Sequence, residues 1–117
     1  MKLKINDDLD LELVYSFRSS MYFEQISGHA LDLSKMTAND LVTLFYAVFV
    51  ASLQKAKQTV MPMLEFLDVI DDNGGESCIV EFSNWYIDVM KKEFELLEST
   101  VQKTKEKKEK ETKKKKS

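Results

Sequence analysis

Apolar and polar residues alternate through KLKINDDLDLEL, on both sides of Asn6-Asp7-Asp8. With that triplet as the loop, Ile5 faces Leu9, Leu3 faces Leu11, Lys4 faces Asp10 and Lys2 faces Glu12. Apolar pairs then share one face and opposite charges share the other. A slip of one residue would destroy both patterns. Asn and Asp tolerate the left-handed backbone that a three-residue loop needs. The segment predicts a β-hairpin.

Beyond it the apolar period lengthens to that of a helix. Ser16 is placed to cap a short helix whose stripe is Phe17, Met21, Tyr22 and Ile26, widened by Phe23 and closed by Gly28. HALDLSKM reads as a linker. Thr37 then opens a central helix, with Asp40 at the third helical position to complete a capping box. From Leu41 to Leu53 this helix is apolar nearly all round. One face carries Leu41, Leu44, Phe45 and Val48; the other carries Val42, Tyr46, Phe49 and Leu53. A small domain has difficulty covering both, so part of this surface is expected to meet a partner.

Pro62 suits the first turn of a third helix with the stripe Met63, Phe66, Leu67 and Ile70. Asp71-Asp72-Asn73-Gly74-Gly75 makes a turn. A fourth helix starts near Ser77 and runs to about Thr100, with Ile79, Phe82, Tyr86, Val89, Met90 and Leu97 as its stripe and Trp85 and Phe94 beside it. Past Leu97 only Val101 is apolar, so the helix is expected to fray. The fold class is thus α+β, mostly α: an N-terminal hairpin, about four helices and a disordered basic tail. One domain spans residues 1–101, and the tail spans 102–117.

Charge separates the two parts. The net charge of −3 conceals a tail of +6 over residues 103–117 and a body of −9. An acidic body repels phosphate backbones, and a tail of lysine and glutamate lacks the aromatic and arginine side chains that stack on bases. No specific nucleic acid is expected as a partner. No membrane is expected either: the most apolar run, Leu41 to Leu53, is 13 residues and too short to span a bilayer. The single cysteine, Cys78, excludes an internal disulfide and suits a cytoplasmic protein.

Catalytic chemistry has little to build on. His29 is the only histidine, and a zinc site would need more soft ligands than one histidine and one cysteine. DVIDDNGGE resembles a calcium loop in composition. Placing Gly74 at its sixth position, however, puts Val69 and Val80 where carboxylates are required. Glycine occurs only at 28, 74 and 75, so no phosphate loop is present. The chain is read as a non-enzyme without metal or cofactor. Phe45, Phe49, Trp85 and Phe94 are the candidate partner-binding side chains.

Taken together, the hairpin and first helix in KLKINDDLDLELVYSFRSSMYFEQISGH, the central TANDLVTLFYAVFVASLQ, the proline-started MPMLEFLDVIDD and the final helix with NWYIDVM resemble the tail assembly chaperones of long-tailed bacteriophages and prophages. The likeness covers roughly residues 1–100. It is a pattern of elements, so no functional residue is transferred. The resemblance implies a chaperone in the bacterial host cytoplasm, absent from the mature virion. It would bind the long, apolar, helical tape measure protein and leave as the tail tube protein polymerises. It also implies two product lengths made by a ribosomal frameshift, and the lysine run Lys113 to Lys116 stands where an adenine-rich slip site would fall. A small tail-completion or connector protein of the virion and an acidic helical regulator remain open, as does a homo-oligomer.

Overall fold

A computed structural model describes the backbone of residues 1–116 and the side chains of residues 1–97. The element order is β1 (Lys2–Asn6), β2 (Leu9–Glu12), α1 (Phe17–Ser27), a single 3-10 turn (Leu33–Lys35), α2 (Ala38–Lys55), α3 (Met63–Asp72) and α4 (Glu76–Lys116). The expected disordered tail over 102–117 lies outside the residues whose side chains are described. The chain divides into two compact units, Met1–Tyr86 and Ile87–Ser117.

In the first unit the hairpin pairs Lys2 with Glu12, Leu3 with Leu11 and Lys4 with Asp10, as the alternation requires. The turn departs from expectation. Asn6, not Ile5, stands opposite Leu9, and the register shifts between Lys4 and Asn6. The cause is local: the Asn6 carboxamide oxygen accepts the Asp8 backbone N–H at 2.9 Å, an Asx turn that tightens the loop to Asp7-Asp8. Ile5 is the residue bulged out of register.

Side chains from the helices fasten the hairpin. Asn73, just past α3, accepts the Lys4 N–H at 2.9 Å and donates its amide to the Lys4 carbonyl at 2.8 Å. From α2, the Ser52 hydroxyl accepts the Val14 N–H at 2.9 Å and donates to the Val48 carbonyl at 2.7 Å. Ser52 is buried, so both partners are needed to offset its desolvation.

The helix ends follow their capping chemistry. The Ser16 side chain accepts from Ser19 N, and Gly28 closes α1 in the left-handed region at φ 80°. Thr37 and Asp40 form the reciprocal capping box of α2. The far end of α2 bears a feature the sequence does not advertise: Lys57 takes φ 58° without being glycine. The fourth helix begins at Glu76, and Ser77 donates its hydroxyl to the Gly74 carbonyl at 2.9 Å.

The core forms around α2. Leu44, Phe45, Val48, Phe49 and Leu53 have no exposed surface. Leu3, Leu11 and Leu13 of the hairpin region join them, with Phe23 from α1, Phe66 and Ile70 from α3, and Phe82 and Tyr86 from α4. Most of both faces of the central helix is therefore covered, because elements before and after α2 in the chain all supply residues to one core; Leu41, Val42 and Tyr46, in the first half of α2, stay half-buried.

Candidate functional site

The four aromatic candidates do not share a surface. Phe45 stacks on Phe82 with ring centroids 4.1 Å apart and planes 9° apart, and meets Phe66 edge-on at 5.1 Å. Phe49 lies 4.8 Å from Phe66. Both are completely buried, so they are interior residues and are withdrawn as partner contacts. Stacked and edge-on rings of this kind hold a core together. Trp85 is half-buried, 6.0 Å from Phe82. Only Phe94, in the second unit, is well exposed, at 59%.

Apolar side chains face solvent elsewhere. On α1, Phe17 is 79% exposed and Met21 is 48% exposed, one turn apart. Their expected place in the core is taken by Ser19 and Phe23 on the other side of that helix. Ser19 can turn inward because its hydroxyl donates to the Ser16 carbonyl at 2.6 Å, so no polar group is stranded. On α3, Phe66, Val69 and Ile70 are buried, leaving Leu64 78% exposed and Leu67 beside it partly so. Sequence reasoning placed Leu67 in the buried stripe and passed over Leu64. Plotting α3 as a helix would have set Leu64 away from the Phe66–Ile70 line. Each of these two helices thus leaves large apolar side chains in solvent.

The polar features are structural. The His29 imidazole has Nδ1 2.9 Å from the Ala30 carbonyl and Nε2 3.0 Å from an Asp40 carboxylate oxygen. Both neighbours are acceptors, so the ring satisfies both only as the doubly protonated cation. The Ala30 carbonyl, then Asp40, raises the His29 pKa above its ordinary value. The Thr37 backbone N–H is the main cause holding Asp40 below its own. This pair ties the segment after α1 to the capping box of α2.

Cys78 is buried, and burial followed by Glu81 pushes its thiol pKa up, the opposite of what a nucleophile needs. The Tyr86 hydroxyl is buried without a hydrogen-bond partner. Burial, with Tyr15 adding to it, pushes its pKa up to about 12; nearby Ser20 pulls slightly the other way without completing bonding geometry. Among the described residues, no group of His, Cys, Asp and Glu is arranged to hold a metal ion.

Two shallow grooves run beside α2. One, of about 360 Å³, is lined by Leu9, Leu11, Val14, Ser52, Lys55 and Gln58. The other, of about 460 Å³, is lined by Ser16, Arg18, Ala51, Gln54 and Lys55. In the second, Gln54 already accepts from Tyr22 at 2.7 Å and Arg18 at 3.2 Å, so its polar groups are engaged with one another. No helix among the described residues is long and apolar enough to cross a membrane.

No known protein family, curated protein or solved structure matches this chain.

Proposed function

We propose that this chain is a non-enzymatic chaperone that holds a long, apolar, helical client soluble. In long-tailed phages and prophages that client is the tape measure protein, and the chaperone departs as the tail tube protein assembles around it. The reading combines the sequence resemblance with one structural observation: large apolar side chains stand outside a core that is already full. Phe17 and Met21 on α1 and Leu64 and Leu67 on α3 can each receive the stripe of an amphipathic helix. Methionine suits such a face because its flexible thioether adapts to varied neighbours. The acidic body supplies like charge that keeps client-loaded complexes apart. The working site would be the bacterial host cytoplasm.

The test is co-expression with a tape measure protein fragment. The soluble fraction of the fragment is expected to rise with the chaperone present. A Phe17→Asp, Leu64→Asp variant should lose that rescue while keeping its own circular dichroism spectrum and melting temperature, because both positions are solvent-facing. No gain in soluble fragment from the wild-type chain would refute the reading.

A further inference from the structure

Lys55 stands where the two grooves beside α2 meet, since it lines both. The groove on the α1 side has Ser16, Arg18 and Gln54 as its other polar residues. Their hydrogen bonds settle what this groove can still offer. A guanidinium has donors only, so the Gln54 carboxamide turns its oxygen to Arg18, and the same oxygen takes the Tyr22 hydroxyl. The Gln54 NH2 group is left over as a donor. The Ser16 oxygen accepts the Ser19 N–H at 3.4 Å, which leaves the Ser16 O–H as a donor. The remaining N–H groups of Arg18 and the ammonium of Lys55 complete the set. What these four side chains have left to give is chiefly donors, and two of them are cations.

Charge makes the same point. The body carries −9, yet among the described residues no carboxylate lies within ion-pair distance of Arg18 or Lys55. Asp10 and Glu12 line the neighbouring groove, on its β2 side, and neither lines this one. Arg18 is also held in place. Its bond to Gln54 joins α1 to α2, and Tyr22, one turn further along α1, holds Gln54. A guanidinium fixed before its ligand arrives loses less freedom on binding.

Two parallel N–H bonds from a guanidinium match the two oxygens of a carboxylate. Beyond Lys55, half-buried Leu9 and Val14 line the adjoining groove and suit an apolar neighbour of that carboxylate. A polyanion suits the site poorly, because the acidic body repels each added charge. We propose that the groove lined by Ser16, Arg18, Gln54 and Lys55 binds a carboxylate side chain of another protein, an aspartate or glutamate flanked by apolar residues. The site is independent of the chaperone reading: none of Phe17, Met21, Leu64 and Leu67 lines either groove.

NMR titration of the isotope-labelled full chain at low ionic strength tests it. The probe is a capped Leu-Glu-Leu peptide, compared with capped Leu-Gln-Leu and with inorganic phosphate. The glutamate peptide is expected to shift the backbone amides of Ser16, Arg18, Gln54 and Lys55 and the Arg18 Nε–H on one saturable curve. Arg18→Gln and Lys55→Gln should each weaken its binding at least about tenfold, the loss of a charge-assisted bond. Both side chains are exposed, so neither change should alter the circular dichroism spectrum of the chain. Arg18→Lys keeps the charge without the fork and should recover only part of the affinity. No saturable shift at these residues overturns the proposal. So does a glutamine peptide that binds as well as the glutamate one, which would make the groove merely apolar. Phosphate binding more tightly than the glutamate peptide overturns it too, and would assign the groove to phosphate groups.

Discussion

Replacing Phe45 with alanine separates a core residue from a contact residue. The ring is fully buried, stacked on Phe82 at 4.1 Å and edge-on to Phe66 at 5.1 Å. Burying a phenylalanine side chain is worth about 1.5–3 kcal/mol. Each favourable ring contact adds about 0.5–1.5 kcal/mol. Truncating such a residue also leaves a cavity, and the whole cost for Phe→Ala runs to about 3–5 kcal/mol. A domain of this size has only about 5–15 kcal/mol in total. We therefore expect Phe45→Ala to remove about 4 kcal/mol. With a urea slope of about 1.5 kcal/mol per molar, the unfolding midpoint falls by about 2–3 M. Trp85, the only tryptophan and 6.0 Å from Phe82, reports the transition by fluorescence. Leu64→Ala is the control: its side chain is 78% exposed, so its unfolding free energy should change by less than about 0.5 kcal/mol. A Phe45→Ala midpoint no lower than that of Leu64→Ala would refute the assignment of Phe45 to the core.

Three further outcomes follow from the polar contacts. The imidazole of His29, the only histidine, should titrate above 6.5 by NMR. Because its folded pKa is raised, its contribution to stability is full below 6.5 and fades as pH rises through the folded value. Asp40 acts in the opposite sense, contributing above 3.8 and losing its contribution as pH falls through its lowered value. His29→Gln should flatten the alkaline side of the melting-temperature profile, and a His29 titration at or below 6.5 would contradict the two-acceptor geometry. Tyr86→Phe deletes a buried hydroxyl without a partner and should leave the protein about 1 kcal/mol more stable in urea, whereas a loss of stability would reveal a bond at that oxygen. Asn73→Ala removes two bonds to Lys4 and one to Val69, so about 1–2 kcal/mol should be lost and hydrogen exchange at the Lys4 amide should quicken.

What could be read from the sequence was what short-range chemistry decides. Lys2, Leu3 and Lys4 find their cross-strand partners because two alternating patterns agree on one register. Ser16, Gly28, Thr37 and Asp40 take their capping places because the bonds they make span four residues or fewer. The Ile5–Leu9 pairing failed where a side chain competed: the Asn6 bond to Asp8 is worth more to the turn than a regular ladder. The inward face of α1 could not be read, because Phe17 and Met21 look as apolar as Phe23 and nothing local shows that Ser19 satisfies its own hydroxyl. Phe45, Phe49 and Phe94 are the same residue type on helical stripes. Their burial differs because Phe66 and Phe82, distant in sequence, reach Phe45, and periodicity carries no information about such meetings. The α4 stripe was half legible: Phe82, Tyr86 and Leu97 share it by spacing, and only exposure divides Phe82 and Tyr86, which fill the core, from Leu97, which does not.

A two-stranded sheet has two edges, and each would ordinarily accept a strand from another molecule. At β1 the carboxamide of Asn73 meets the outward N–H and C=O of Lys4 as the peptide group of a third strand would. That position is occupied before any other chain arrives. At β2 the exposed face bears Asp10 and Glu12, which repel the same strand of a second copy. A strand from another chain is thereby opposed at both edges of the hairpin.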